Sequence, residues 1–309
     1  MKVMPTLCSA RCPRPAAQRG RARRKLGLLL ALACSAGPAR ADWFYDLRAG
    51  VLYDDNLTRA QQAADVRGDG AATLAATAGW FVAASGADGI TLSLDAGSEA
   101  YARFHGLNSI SIGAGAAYRH KFGLGYAAPW TLIAINAAHD DYRGNIRDGR
   151  RLEARFEFGQ RLSENFEASA GVTSDRRLAS NDRPVVPGIS GKAFDLRGQG
   201  VFARAAYDIS DRLQIGGRVS VRRGDVEATT RQNLDIFLAS DAIAADPTFG
   251  SDFYAYRLRG TTKAVSANLS WALSSRSSLN FSYAVTRTDA YDDLNYVSRA
   301  GTILLAYRY

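Results

Sequence analysis

The chain has 309 residues, 47% of them hydrophobic and 22% charged, with a formal net charge of +9 and three cysteines. Nine of its 39 basic residues lie in residues 1–41, which hold no acidic residue, so the remainder carries 30 charges of each sign and is neutral. That excludes a basic nucleic-acid-binding domain; and because Cys8, Cys12 and Cys34 all fall in the same first segment, the rest has no thiol for a disulfide or a zinc site.

Residues 1–41 read as a cleaved signal peptide. A basic stretch ends in Arg23-Arg24-Lys25, the apolar run Leu26–Cys34 follows, and Ala39-Arg40-Ala41 supplies a small-x-small site that predicts cleavage before Asp42. The apolar run is well short of the roughly 20 residues that a spanning helix needs. The Arg pair faintly resembles a twin-arginine signal and Ala31-Leu32-Ala33-Cys34 a lipoprotein site, but Ala39-x-Ala41 is the cleaner match. Residues 42–309 are expected to form one domain.

From residue 43 onward the hydropathy alternates with period two, in stretches separated by turn-rich breaks. The first, 43–57, sets Trp43, Tyr45, Leu47, Val51 and Tyr53 against Asp46, Arg48 and Asp54. Next come 70–84 (Leu74, Trp80, Val82) and 89–104 (Ile90, Leu92, Leu94 against Asp95, Glu99 and Arg103). Then follow 109–121 (Ile110, Ile112, Tyr118) and 129–143, which is apolar on both parities. In 150–162, Leu152, Phe156 and Phe158 alternate with Glu153, Arg155, Glu157 and Arg161. In 166–178, Phe166, Ala170 and Val172 oppose Glu167 and Thr173. Val201–Ile209 runs into the turn Ser210-Asp211, and Leu213–Val221 leaves it opposite Arg218 and Arg222. The stretch 257–273, the run Leu279–Val285 and the stretch 296–309 complete twelve strands.

An even count, with short breaks at 85–88, 163–165, 210–211 and 274–276 and longer polar ones at 58–69, 179–191 and 224–255, is the pattern of an all-β, transmembrane, antiparallel up-and-down β-barrel. A soluble sandwich or a lipocalin-like barrel shares the strand count. Neither explains why Trp43, Tyr45, Tyr118, Trp130, Phe166, Tyr207, Trp271, Tyr307 and Tyr309 collect near the periplasmic strand ends, as in an interfacial girdle. The 224–255 break contains Leu234, Ile236, Phe237, Leu238 and Ile243 in a stretch suited to a short amphipathic helix. It either folds into the mouth or caps the rim, and the sequence does not choose.

Two stretches carry a family resemblance. The last strand, with Ile303, Leu305, Tyr307 and Tyr309 alternating up to the C-terminus, resembles the terminal assembly signature of Gram-negative outer-membrane barrels, with Tyr in place of the commoner Phe. The resemblance implies an outer-membrane location and recognition by the barrel assembly machinery. Tyr53-Asp54-Asp55-Asn56-Leu57-Thr58-Arg59 resembles the end of the first strand in β-barrel porins associated with exopolysaccharide export, and also in the barrel domain of surface lipoprotein assembly modifiers. The latter carry helical repeats that this sequence lacks.

The chemistry is sparse. His105, His120 and His139 stand apart, and His139 has no serine at neighbouring positions on its strand, so no nucleophile–base pair is legible and no enzyme or cofactor is expected. The doublets Asp54-Asp55, Asp140-Asp141 and Asp292-Asp293 at upper strand ends are weak calcium candidates; solvated strand ends and Asx turns explain them as well. The alternation turns Arg48, Arg103, Arg155, Arg161, Arg218, Arg222, Glu99, Glu153 and Glu157 toward the lumen, with Arg119, Arg177, Arg204 and Arg308 beside them. Charged rings select permeating ions, so the leading expectation is a porin-like passive channel for small, anionic or saccharide solutes. Interleaved Glu and Arg would equally pair across the lumen and close it. The alternative is a non-conducting structural or assembly barrel that binds lipopolysaccharide or a partner protein. Outer-membrane lipid and lipopolysaccharide are expected partners, and nucleic acid is not.

Overall fold

The computed structural model describes residues 41–291 and 294–309; the expected signal peptide and its cleavage site lie almost entirely outside them. The strands are β1 (Ala41–Asp54), β2 (Asp69–Ala83), β3 (Asp88–Tyr101), β4 (Ser109–Lys121), β5 (Trp130–Tyr142), β6 (Gly149–Arg161), β7 (Phe166–Ala179), β8 (Leu196–Ser210), β9 (Leu213–Arg231), a short β10 (Ala242–Ala245), β11 (Phe253–Ala272), β12 (Ser277–Ala290) and β13 (Asn295–Arg308). Helix α1 covers Leu234–Leu238, capped by the Asn233 side chain, which accepts from the Asp235 and Ile236 amides.

Every long strand pairs antiparallel with its neighbour, β9 pairs directly with β11, and β13 returns to β1. The wall is therefore a closed ring of twelve strands, with β10 an appendage of β11. Closure is what a membrane demands, because hydrocarbon offers no partner for an edge amide. The seam is complete down to the terminus: the Tyr45 amide donates to Tyr309 O (3.1 Å) and the Tyr309 amide to Tyr45 O (2.9 Å).

The exterior follows the period-two reading. Leu47, Val51, Leu74, Leu94, Ile112, Ile133, Ile135, Leu152, Val172, Val201, Val219, Val265, Ile303 and Leu305 are all exposed, an arrangement that only lipid would solvate. No helix among the described residues is long and apolar enough to cross a membrane; the strands cross it. At the periplasmic end Trp43 stacks on Trp80 at 6.0 Å, and Tyr45, Tyr118, Tyr207, Trp271, Tyr307 and Tyr309 are exposed beside the bilayer boundary. Trp130 departs from the expected girdle. With Ile133 and Ile135 outward, it takes the opposite parity and is 5% exposed, on the inner wall. The two-sided apolarity of β5 had hidden that register.

Above the membrane the structure differs from the expected open loop at 224–255. Strand β9 continues to Arg231 and β11 begins at Phe253, so one hairpin rises well above the other strands. Its upper part is covered on both faces: Val226, Ala228, Tyr256 and Leu258 pack with Ile236, Ile243, Leu294 and Tyr296, while Ala255 and Phe253 pack on the other loops. Two-sided burial erased the polar half of the alternation there, while Gly224, with φ of 153°, stays in the ladder opposite Gly260.

Candidate functional site in the lumen

The inner wall is built unevenly. Strands β2 to β4 turn Thr77, Ser93, Gly97, Ser111, Gly113 and Gly115 inward, with Asp95 held by the Thr77 hydroxyl (2.7 Å) and the Ser93 hydroxyl (3.1 Å). Strands β6 to β9 carry most of the long inward cations. At mid-height Glu157 is fully buried; its Oε1 accepts from Arg204 Nε (2.7 Å) and the Ser169 hydroxyl (2.7 Å), and its Oε2 faces Arg155 Nε at 3.6 Å. Arg218 lies directly opposite Arg204 in the β8–β9 register and stacks on the Phe202 ring at 4.3 Å. Three guanidinium groups thus share one carboxylate. Like charges on paired strands repel, so the patch keeps an excess of about two positive charges directed into the lumen.

Three inner-wall aromatic rings each cover a glycine of the paired strand. Phe44 covers Gly79, Trp130 covers Gly159 and Phe202 covers Gly171, and a Cβ on these glycines would sit 2.1, 2.3 and 2.8 Å from the respective ring. Arg119 then stacks on Trp130 at 4.6 Å, as Arg218 does on Phe202. The glycine lets the ring lie against the wall, and the ring holds the guanidinium at the lumen surface. Sequence reasoning missed these supports; inward-parity glycines opposite inward aromatics were the available signal.

The other expected lumen residues distribute as follows. Arg48 pairs with Asp46 (2.8 Å), which also takes Arg308 (3.2 Å). Arg161 sits low, 3.9 Å from Asp208. Arg222 makes a bidentate pair with Asp175 (2.8 and 2.5 Å), which spends its charge within the wall. Glu153 is half exposed beside Arg151, and Glu99 accepts from the Tyr101 hydroxyl (3.1 Å). Arg103 lies beyond the end of β3, held by Asp69 and the Gly68 carbonyl at the outer mouth. Ile303, Leu305, Tyr307 and Tyr309 all face outward on β13 or just past it.

The acidic doublets do not converge. Alternation puts Asp54 inside, on Arg59 (2.8 Å), and Asp55 outside, on Arg299 (3.2 Å). Asp140 is likewise buried and Asp141 exposed. Adjacent strand residues point to opposite sides of the wall, and no cluster able to hold a metal occurs among the described residues. Asp292 and Asp293 lie outside them. His139 is exposed on the lipid side, His105 Nδ1 contacts Tyr101 O, and His120 Nδ1 contacts Asp88 (2.8 Å). Ser85 also bonds Asp88 and not the imidazole, so this is not a nucleophile–base arrangement.

A lid crosses the outer mouth. The tip of the β9–β11 hairpin reaches the β3–β4 loop, six strands away around the ring: Phe249 packs on Phe104 at 5.0 Å, and Leu107 joins Phe249 and Phe253. Buried Arg147 of the β5–β6 loop clamps Asp246 with two hydrogen bonds (3.2 and 2.5 Å), and Arg231 holds Asp65 of the β1–β2 loop (3.0 Å).

A closed antiparallel barrel with this exterior is an integral protein of the bacterial outer membrane. An outer membrane channel from Pseudomonas putida F1 is similar with a TM-score of 0.50 at 10% identity, over 89% of this chain and 97% of that one. The NanC porin gives 0.46 at 9% identity over 85% and 98%. The translocator domain of autotransporter NalP from Neisseria meningitidis gives 0.43 at 11% identity over 93% and 94%. No protein-family model and no curated protein matches the chain.

Proposed function

We propose that this barrel is a porin-like passive channel that favours small anions, including acidic saccharides. The observation that carries the proposal is the mid-height patch of Arg155, Arg204 and Arg218, which share only Glu157 among the nearby carboxylates. Arg155 and Arg204 remain 38% and 44% exposed, so their charge is directed into the enclosed interior and not consumed by the wall. Strands β2 to β4 turn small side chains inward, Ser93, Gly97, Ser111, Gly113 and Gly115. Guanidinium forks match carboxylate geometry, and charged linings set ion preference.

The lid supports a second reading, a barrel closed at its outer end that serves a structural role. Purified protein reconstituted in a planar bilayer separates the two. The channel reading expects discrete current steps that glucuronate, but not glucose, partly blocks. Silence over many insertions sinks it and leaves the structural reading.

A further inference from the structure

The outer surface carries a basic arc on one side of the barrel only. On five consecutive wall strands the first charged residue above the apolar band is an outward arginine or lysine: Arg150 on β6, Arg176 on β7, Arg197 on β8, Arg223 on β9 and Lys263, with Arg259 above it, on β11. Strands β1 to β5 present no outward lysine or arginine there. The height is that of the outer bilayer boundary. Leu213 and Arg223 are ten residues apart on β9, and at about 3.3 Å per residue and a tilt of about 40° this spans about 25 Å.

Apart from Lys263, whose ammonium pairs with Asp289 (3.1 Å), the fold gives these side chains little reason to be cationic. Arg176 and Arg197 are directly opposite each other in the β7–β8 register, a like-charge pairing that costs stability. Arg150, Arg176 and Arg223 have no carboxylate within ion-pair distance among the described residues. Arg197 and Arg259 stay 76% and 73% exposed, with only long contacts to Asp225 (3.9 Å) and Asp241 (3.5 Å). Lys263 and, farther round, Arg287 share Asp289 (3.1 and 2.9 Å), and Arg299 is held by Asp55 (3.2 Å), so the weakly neutralised arginines of the arc run from Arg150 on β6 to Arg259 on β11.

Arg197, Arg223 and Arg259 converge on a dent of about 460 Å³ in the outer wall, which Asp225, Asp289 and Tyr291 also line. Gly224 forms its floor, where a Cβ would stand 2.2 Å from the Arg197 carbonyl oxygen. We infer that this arc binds the phosphates of the outer-leaflet glycolipid, with a lipid A phosphate in the Arg197–Arg223–Arg259 dent and its acyl chains on the apolar strands below. Arginine forks suit phosphate oxygens, and the apolar band directly beneath distinguishes a lipid from a soluble phosphate.

The test titrates the full mature barrel, in neutral detergent, with bisphosphorylated lipid A and with the same lipid after phosphatase treatment, read by native mass spectrometry. Lipid A should bind, more weakly at higher salt, and the dephosphorylated lipid should bind no better than phosphatidylethanolamine. The variant Arg197→Gln/Arg223→Gln/Arg259→Gln should lose at least tenfold in affinity, while Arg212→Gln/Arg276→Gln in the periplasmic turns should lose none. Arg223→Gln alone provides a milder variant, and a gel shift on boiling certifies that each is folded. Wild-type affinity in the folded triple variant, or equal binding without phosphates, overturns the inference. Because the dent lies outside the lumen, its loss should leave conductance unchanged, so this result and the channel test fail separately.

Discussion

Replacing Glu157 by Gln removes the one carboxylate from the Arg155–Arg204–Arg218 patch while keeping an oxygen for the Ser169 hydroxyl and Arg204 Nε. The local charge rises by one unit. At about 6 Å from a permeating ion, one unit charge is worth about 0.7 kcal/mol in water-like permittivity, and more where the wall lowers it. Salt of about 0.1 M, with a Debye length of about 10 Å, weakens this only modestly at such range. An anion should gain about threefold in occupancy and a cation lose about as much, so chloride over potassium permeability should rise roughly three- to tenfold. The structural cost is small. Arg155 and Arg204 keep over a third of their surface in water, so losing the charge-assisted bond costs on the order of 1 kcal/mol. Reversal potentials across a tenfold potassium chloride gradient measure the ratio. A folded Glu157→Gln barrel with an unchanged or lower ratio refutes the placement of this patch on the permeation path.

Other consequences follow from the same contacts. Gly171→Leu would place its Cβ 2.2 Å from the Phe156 carbonyl oxygen and against the Phe202 ring, costing about 1–3 kcal/mol by overpacking, so its urea midpoint in detergent should fall clearly below wild type. Arg147→Ala leaves Asp246 buried without its guanidinium partner, a loss of about 3–5 kcal/mol to the packing of the lid. Trypsin should then cut within residues 224–260 while the barrel stays intact, and protection equal to wild type would show that the clamp is dispensable. Removing Tyr309, whose amide and carbonyl close the seam with Tyr45, should lower the amount of folded barrel reaching the outer membrane, scored by the boiled-versus-unboiled gel shift of membrane fractions.

The wall was legible in the sequence because lipid outside and water inside force a strict period of two, as in β6, where Leu152, Phe156 and Phe158 oppose Glu153, Arg155 and Glu157. That rule fails where both sides of a strand are of one kind. On β5 the alanines and isoleucines gave no parity, and Trp130 went to the wrong face. Above Gly224 other loops bury both faces of the hairpin, so eight strand residues at the start of 224–255 and three at its end resembled a loop. The lumen parity of Arg48, Glu157 and Arg218 was readable, but their partnerships were not. Which arginine is neutralised, as Arg222 is by Asp175, and which shares a carboxylate, depends on the diagonal geometry across strands. The clamp between Arg147 and Asp246 joins residues 99 positions apart and left no local trace.

The sign of the reversal potential of the unmodified barrel tests the account most directly. With potassium chloride tenfold more concentrated on one side of a planar bilayer, the arginine patch predicts a potential displaced toward the chloride equilibrium value, and displaced less as the salt on both sides is raised. A potential displaced toward potassium in a conducting, folded barrel contradicts the proposed role of Arg155, Arg204 and Arg218.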